Sequence, residues 1–135
     1  ETKGCINGVK VIDDYAHHPT EIKLSLKALK NTTKNRLWCV FQPHTYSRTK
    51  KLLDKFADSF YQADKVIITD TLDTISYVRK LKEKGVEVIY IESFDSIKNY
   101  LVSNMAEGDV IVTMGAGNVN KLGELILQDN KEKAI

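Results

Sequence analysis

The hydrophobic residues of this chain fall into short continuous runs separated by amphipathic stretches. The residues at 9–12 alternate in the manner of a strand, and the unbroken run Leu37-Trp38-Cys39-Val40-Phe41 is typical of a strand buried on both faces of a parallel sheet. Further apolar runs at 65–69, 86–91 and 110–113 predict three more strands. The pattern therefore predicts a succession of main strands along the whole chain.

Each main strand is followed by apolar residues with the spacing of an amphipathic helix. The first helix is expected to begin at Pro19, with His18 as its cap, and to fade near residues 31–33. The third should end at Gly85, and the charged residues 128–135 are expected to fray. The apolar stripes are Ile22, Leu26 and Leu29; Leu52, Leu53, Phe56 and Phe60; Ile75, Val78 and Leu81; Phe94, Ile97 and Leu101; and Val119, Leu122 and Ile126.

Alternation of strands and helices decides the fold class. The dipeptide Asn7-Gly8 between apolar residues is a strong hairpin signal, so we expect a short N-terminal strand antiparallel to the first main strand. Successive strand and helix units favour a parallel sheet with helices on both faces. The prediction is an α/β fold: a Rossmann-like three-layer sandwich with a mostly parallel sheet of about six strands and one antiparallel edge strand, formed by residues 1–135 as a single domain.

Polar clusters follow most of the predicted strands, at residues 13–18, 42–48, Asp70 and 115–118. In such sheets, ligands bind beyond the carboxyl ends of the strands, near a switch in strand order. We therefore expect one shared rim that carries carboxylates, imidazoles, an arginine and glycine-rich backbone.

Composition narrows the class of partner. The chain has 135 residues, 28% of them charged, and a formal net charge of +2 that comes from interspersed acids and bases, which favours small-molecule or protein partners over nucleic acid or membrane. No signal peptide or long apolar segment is evident, and Cys5 and Cys39 form no CxxC, so we expect buried free thiols and a cytoplasmic location. Because the chain begins at Glu1 without Met, it is expected to be a piece of a longer protein.

The segment at 13–21 carries the first candidate chemistry. Asp14 could accept hydroxyl protons from a ribose and His17 could donate to phosphate, while the start of the helix at Pro19 is expected to attract an anion. The alternative is a loop whose acid and imidazole cap neighbouring N–H groups. Zinc is disfavoured because the adjacent His17 and His18 are expected to point in different directions, with no third ligand at a familiar spacing.

Two further clusters each leave an alternative open. His44, Tyr46 and Arg48 could form a wall that recognises an anion, or a solvated first helical turn. Gly115-Ala116-Gly117 could admit a phosphate to backbone N–H groups, but it lacks the third glycine of a dinucleotide fingerprint, so a tight turn is slightly favoured. No GxxxxGK[ST] motif is present, so this chain cannot hold a triphosphate in the P-loop manner.

Three segments together closely resemble the C-terminal domain of the Mur ligases, and the resemblance covers nearly the whole chain. Each of the first two segments, taken whole, is a far more specific sign of the family than any shorter piece of it. They are Asp13-Asp14-Tyr15-Ala16-His17-His18-Pro19-Thr20-Glu21, Phe41-Gln42-Pro43-His44-Thr45-Tyr46-Ser47-Arg48-Thr49 and Met114-Gly115-Ala116-Gly117.

This resemblance implies a three-domain cytoplasmic enzyme of peptidoglycan synthesis. An N-terminal domain would hold a UDP-sugar, a central P-loop domain would hold ATP and Mg²⁺, and the present domain would close over both, being inactive alone. The implied chemistry is ATP-dependent amide formation through an acyl phosphate, with Mg²⁺ stabilising the transferring phosphoryl group. The best-matching member joins L-alanine to UDP-N-acetylmuramate, so these are the expected substrates.

Site residues follow from their positions in the motifs. Asp14 resembles the acid that binds the ATP ribose, and His17 resembles the residue that reaches the γ-phosphate, which makes His17 the candidate catalytic residue. Tyr15, His44 and Arg48 resemble the group that recognises the incoming L-alanine, with Arg48 taking its carboxylate. No residue of this chain is expected to bind a metal.

Two departures from the family and two alternative functions remain. Many members carry Arg where this chain has Thr45, so Arg48 would carry more of the recognition of the L-alanine carboxylate. The segment 71–77 also departs from the family pattern.

The chain could belong to the peptidoglycan-recycling ligase that adds a tripeptide to UDP-N-acetylmuramate, although Gln42-Pro43-His44 favours the alanine enzyme. It could also be a free-standing, non-catalytic nucleotide-binding module, which a P-loop upstream of Glu1 would argue against.

Overall fold

The computed structural model describes residues 1–43, 50–69, 74–115 and 117–133. Strands and helices alternate along these ranges as the sequence predicts. The elements are β1 (Thr2–Ile6), β2 (Val9–Asp14), α1 (Pro19–Thr32), β3 (Leu37–Phe41), α2 (Lys50–Ala57), β4 (Lys65–Ile68), α3 (Thr74–Glu83), β5 (Val88–Tyr90), α4 (Phe94–Asn104), β6 (Val110–Met114) and α5 (Asn120–Lys133).

A tight hairpin joins the first two strands, as predicted. Asn7 has φ 51° and Gly8 has φ 79°, and a two-residue turn with positive φ at both positions matches the right-handed twist of the flanking strands. The strands pair in antiparallel register from Ile6 opposite Val9 outward. The antiparallel edge strand of the predicted sheet is therefore confirmed.

The strand order of the six-stranded sheet is β1-β2-β6-β3-β4-β5, and every pair except β1 with β2 is parallel. The last strand, β6, lies between β2 and β3, so the chain crosses over it when it passes from β2 through α1 to β3. The carboxyl ends of β2, β6 and β3 are consequently neighbours. This is the kind of switch point at which open α/β sheets bind ligands.

Helices cover both faces of the sheet and bury a separate apolar cluster on each. On one face α1 and α3 contribute Ile22, Leu26 and Leu81, and on the other α4 and α5 contribute residues such as Leu101 and Ile126. Strand β3 is buried along its whole length, with alternate side chains in the two clusters. The three-layer sandwich is thus confirmed, and none of the described helices combines the length and the apolar character needed to cross a bilayer.

Several predicted details of the elements are wrong. Ile75 is 72% exposed, whereas Tyr77 and Leu81, one turn apart, pack into the core. Ile75 lies about 200° around the helix from Tyr77, so the two cannot share a face. Phe60 is buried as expected but lies beyond the end of α2, and α5 continues through Lys133 instead of fraying from residue 128.

The two cysteines differ, contrary to the prediction that both are buried. Cys5 is exposed because it sits on the edge strand β1, paired with the exposed Lys10. Cys39 lies in the middle of β3 and is fully buried. Burial, with a smaller contribution from the charge of Asp14, raises the pKa of the Cys39 thiol far above its usual range, so this thiol stays protonated.

At the amino ends of β3 and β6, carboxylates tie the elements together. Asp109 is 1% exposed, and its oxygens accept hydrogen bonds from the backbone N–H of Arg36 (3.0 Å), the indole N–H of Trp38 (2.9 Å) and the backbone N–H of Ala106 (2.9 Å). The Arg36 guanidinium lies 3.2 Å from the same carboxylate and stacks over Trp38. We call these residues the Asp109 cluster.

Candidate functional site

Parallel pairing brings the predicted site loops together at the switch point. Asp14 lies opposite Met114 in the β2–β6 ladder, and Phe41 lies opposite the same Met114 in the β3–β6 ladder. The segments that follow these three residues therefore leave the sheet side by side. We call this edge the carboxyl rim.

Two adjacent acids at the end of β2 have different surroundings. Asp13 was expected to lie in the polar loop, but it belongs to β2: it pairs with Thr113, and its Oδ1 accepts a hydrogen bond from the Thr113 hydroxyl at 2.8 Å. Asp14 ends the strand, and its Oδ1 accepts from the backbone N–H of Ala16 at 2.9 Å. Its Oδ2 has no partner among the described residues, so Asp14 offers one fixed and one available oxygen.

The imidazole ring of His17 is also held through one of its two nitrogens. Its Nδ1 lies 3.0 Å from the carbonyl oxygen of Tyr15, and because a carbonyl can only accept, Nδ1 carries the proton. The other ring nitrogen, Nε2, has no hydrogen-bond partner within the part of the chain that the structure describes. The tautomer and the ring position are therefore set by the backbone, which leaves Nε2 for a ligand.

Tyr15 is 69% exposed, although it is aromatic. Its ring meets the His17 ring edge-on, with centroids 5.2 Å apart. Between the two, Ala16 is buried and anchors the loop to the core. The loop thus presents Tyr15 and His17 outward from a fixed base.

The start of α1 already contains an anion from the chain itself. His18 occupies the N-cap position and Pro19 the first helical position, as predicted. The carboxylate of Glu21 accepts hydrogen bonds from the backbone N–H groups of His17 (3.4 Å) and His18 (3.3 Å), which lower the pKa of Glu21. The expected anion at this helix start is therefore supplied, at least at these two N–H groups, by Glu21.

His17, His18 and Glu21 form a group whose potential ligand atoms all lie within 4.8 Å of one another. The expectation that the two rings diverge is wrong, because their centroids are 4.3 Å apart. The available donors are two imidazoles and one carboxylate, and this set does not fit Mg²⁺, which prefers oxygen ligands in octahedral geometry. His17 and Glu21 also use ligand atoms in the backbone hydrogen bonds described above.

Gln42 belongs to the predicted polar cluster at 42–48, but the sequence did not indicate a separate role for it. It follows β3 directly, is 6% exposed, and joins the loop after β3 to the loop after β6. Its Oε1 accepts from the backbone N–H of Val119 at 2.9 Å, and its Nε2 donates to Oδ1 of Asn118 at 3.0 Å. A polar residue directly after a fully apolar strand, together with a Gly-x-Gly after another strand, was the available signal.

The two glycines that were candidates for a phosphate site lie against Gln42. A Cβ at Gly115 would come within 2.5 Å of the Gln42 carbonyl oxygen, and a Cβ at Gly117 within 2.4 Å of its Oε1. Gly115 also has φ 135°, which side chains rarely adopt. Neither Gly115 nor Gly117 therefore has room for a side chain beside Gln42.

The remaining predicted site residues cannot be placed. His44, Tyr46 and Arg48 of the second motif, and Asp70 after β4, lie outside the described residues. The structure therefore describes Asp14, Tyr15 and His17 on the carboxyl rim.

The fold and this rim define a doubly wound α/β domain with a ligand-binding edge at its switch point. Residues 1–117 match the family described as Mur ligase, glutamate ligase domain, and the chain belongs to that family.

Three similar proteins narrow the comparison. UDP-N-acetylmuramate–L-alanine ligase of Acetivibrio thermocellus is 47% identical over 145 aligned residues, which cover 100% of this chain and 31% of that protein. The structure of UDP-N-acetylmuramate-alanine ligase MurC from Thermotoga maritima is 28% identical with a TM-score of 0.76, and the match covers 94% of this chain and 28% of that one. A crystallised domain described as part of a UDP-N-acetylmuramate:L-alanyl-gamma-D-glutamyl-meso-diaminopimelate ligase of Haemophilus ducreyi is 27% identical with a TM-score of 0.77, covering 96% of this chain and 97% of that one.

The chain resembles both kinds of ligase equally well in its backbone. The TM-scores of 0.76 and 0.77 are nearly equal, so backbone similarity does not discriminate between the two kinds of ligase. The chain spans about a third of the length of the curated relative from A. thermocellus (31%).

Proposed function

We propose that this chain is the C-terminal domain of an ATP-dependent ligase that joins L-alanine to UDP-N-acetylmuramate in cytoplasmic peptidoglycan synthesis. The observation that carries this choice is the 47% identity, over the whole chain, to a protein named for that reaction. The 31% coverage of that relative agrees with a larger enzyme, in which an N-terminal domain binds the UDP-sugar and a central domain binds ATP.

The proposed reaction has two steps. The muramoyl carboxylate attacks the γ-phosphorus of ATP and displaces ADP, which gives an acyl phosphate. The amine of L-alanine then attacks the acyl carbon, phosphate leaves, and the amine gives up a proton to form the amide. The protein contributes mainly by positioning and by electrostatic stabilisation, as in other phosphoryl transfers.

Asp14 and His17 form the nucleotide half of the proposed site. The uncommitted Oδ2 of Asp14 suits a ribose hydroxyl, because a carboxylate oxygen accepts the hydroxyl proton. Nε2 of His17 can donate to a γ-phosphate oxygen when the imidazole carries a proton on both nitrogens, and the bond from Nδ1 to Tyr15 keeps the ring in place. Both residues have one atom fixed by backbone and one atom free for ATP, and this geometry supports their assignment.

Tyr15, His44 and Arg48 form the amino-acid half. Arg48 would hold the L-alanine carboxylate with its planar guanidinium, for which two parallel hydrogen bonds are the favoured geometry. The 69% exposure of Tyr15 supports a contact made only when another molecule or domain covers the rim.

Mg²⁺ is assigned to the central domain and the ATP phosphates. The group of His17, His18 and Glu21 offers two imidazole nitrogens and a single carboxylate, which does not match the oxygen ligands that this ion prefers.

The recycling ligase is the second candidate, because the similar domain from H. ducreyi belongs to a protein described as using L-alanyl-gamma-D-glutamyl-meso-diaminopimelate. The deciding experiment supplies the full-length protein with ATP, Mg²⁺ and UDP-N-acetylmuramate, and compares phosphate release with L-alanine and with that tripeptide. We expect release with L-alanine. Release with the tripeptide alone would assign the recycling reaction, and release with neither would leave the non-catalytic module.

The 135-residue chain alone serves as the negative control in this assay. We expect it to release no phosphate, because the motif that holds the triphosphate is absent from it. L-Alanine-dependent phosphate release by this fragment would contradict the proposed division of labour between domains.

A further inference from the structure

We propose that Gln42 is a positioning residue for the incoming amine substrate: its buried amide fixes the point at which the second motif leaves the sheet. This inference rests on the proposed function, since it takes the amino-acid half of the site to follow Gln42 along the chain. It assigns a role to a residue that touches none of the proposed substrates.

Gln42 is held through its backbone as well as its side chain. Its N–H donates to the carbonyl oxygen of Met114 at 3.0 Å, which extends the β3–β6 ladder one residue beyond the end of β3. Val119 N–H can only donate, so the amide oxygen of Gln42 must face it, and this fixes the orientation of the amide. The side chain therefore has one well-defined arrangement.

The loop after β6 is built to receive this amide. Gly115 and Gly117 are both positions where a Cβ would collide with Gln42, at its carbonyl oxygen and its Oε1 respectively. Asn118, although exposed, turns its side-chain oxygen to the Gln42 amide. Three residues of one loop thus conform to a single residue of another.

The consequence for the site follows from chain continuity. Gln42 precedes His44 by two residues in the sequence, and the ring of the intervening Pro43 fixes one of the few backbone torsions between them. The loop that is clamped follows β6, whose other neighbour, β2, ends at Asp14. Gln42 therefore ties the end of β3, from which the chain continues to His44, to the loop that follows β6, the neighbour of β2.

A displacement of about 1 Å at a reacting group can cost on the order of 100-fold in rate, so a loosened clamp should be measurable. The test uses the full-length ligase with Gln42→Met, which keeps the side-chain length but removes both hydrogen bonds, and Asn118→Ala, which removes one bond at an exposed position. Gln128→Met, on the exposed side of α5, is the matched control.

At a temperature well below the Tm of each variant, we expect Gln42→Met to raise the KM of the amine substrate by roughly 10-fold or more and to leave the KM of ATP within about 2-fold. Asn118→Ala should shift the same parameter in the same direction by less, and Gln128→Met should shift neither. Asn118→Ala keeps the test valid if Gln42→Met fails to fold.

The amine used in the assay is the one that the wild-type enzyme accepts, either L-alanine or the tripeptide. A wrong substrate assignment can therefore be told apart from a wrong role for Gln42. An unchanged KM of the amine in a folded variant would overturn the positioning role. The role would also be overturned if the KM values of the amine and of ATP rose equally, in proportion to the loss of Tm. An inactive wild-type enzyme would overturn the proposed function and this inference with it.

Discussion

The two ends of the parallel sheet use the same residue type in opposite ways. At the amino ends, Asp109 is buried and its two oxygens accept hydrogen bonds from Arg36, Trp38 and Ala106. At the carboxyl rim, Asp14 uses one oxygen for a local backbone bond and keeps the other uncommitted among the described residues. A carboxylate whose oxygens are all committed stabilises the fold, whereas one with an uncommitted oxygen can bind a ligand.

The largest expected effect is at the amino end. Asp109→Ala leaves the Trp38 indole N–H and two backbone N–H groups without their acceptor and removes the partner of the Arg36 charge. We expect a loss of roughly 3–5 kcal/mol in the free energy of unfolding, the scale for breaking a buried, hydrogen-bonded ion pair. Urea unfolding of the chain measures it, with Asp95→Ala, an exposed acid on α4, as the control. A loss no larger than that of the control would contradict the role of the Asp109 cluster.

Acid should erase the contribution of Asp109. Burial alone would raise the pKa of this carboxyl, but the hydrogen bonds from Trp38, Ala106 and Arg36 and the Arg36 charge together lower it. A group with a lowered folded pKa stabilises the protein above its unfolded pKa of 3.8, and this stabilisation is lost as pH falls through the folded value. The difference in unfolding free energy between wild type and Asp109→Asn should therefore be constant from neutral pH down to about 5 and shrink below about 4.

Arg48→Ala in the full-length ligase should affect function and leave stability alone. We expect a loss of about 2–4 kcal/mol in transition-state stabilisation with L-alanine, the scale for removing one partner of a desolvated charge pair. Steady-state kinetics with varied L-alanine measures it, and Arg79→Ala, an exposed arginine on α3, is the matched control. Unchanged L-alanine kinetics would remove Arg48 from the proposed site.

His17→Ala should act on the other half of the rim. The variant loses the Nε2 group proposed to meet the γ-phosphate, and a hydrogen bond to a charged group contributes about 1.5–3 kcal/mol, so we expect kcat to fall by roughly 10-fold to 100-fold. The KM of L-alanine should change much less. His18→Ala, which alters the adjacent exposed ring, is the control. A defect confined to the KM of L-alanine would contradict the role assigned to His17.

Local signals in the sequence were sufficient for most of the fold. The unbroken apolar run of β3 requires burial on both faces, and Asn7-Gly8 tolerates the positive φ values of the hairpin turn, so both follow from residue chemistry alone. The exposure of Ile75 did not follow, because apolar residues on α3 define two possible stripes. Packing of Tyr77 against Phe56 decides between them, and that contact joins distant parts of the chain.

The candidate site was less predictable, because its geometry depends on pairs far apart in the sequence. Asp14 and His17 could be identified from their motif, but the assignment of Asp13 to β2 depends on pairing with Thr113, a hundred residues away. The sequence marked Gln42 as a polar residue directly after β3, but its bridging role depends on partners in the loop after β6, 76 and 77 residues further on. The sequence indicates which side chains can do chemistry, and long-range contacts determine which of them are already engaged.

The smallest expected effect concerns Glu21, which shares one property with the acids at each end of the sheet. It is exposed like Tyr15 on the carboxyl rim, yet its carboxylate accepts hydrogen bonds from the backbone N–H groups of His17 and His18, as Asp109 does from its own partners. Those two bonds, the largest causes, lower the pKa of Glu21, so its stabilisation is present above the unfolded pKa of 4.5 and is lost as pH falls through the folded value. Glu21→Gln should therefore lower the Tm slightly at pH 7, by less than Asp109→Ala, and the difference from wild type should shrink as pH falls below about 4.5. If Glu21→Gln instead lowered kcat without lowering the Tm, Glu21 would belong to the ligand-binding rim, and the division between the two ends of the sheet would have to move to include it.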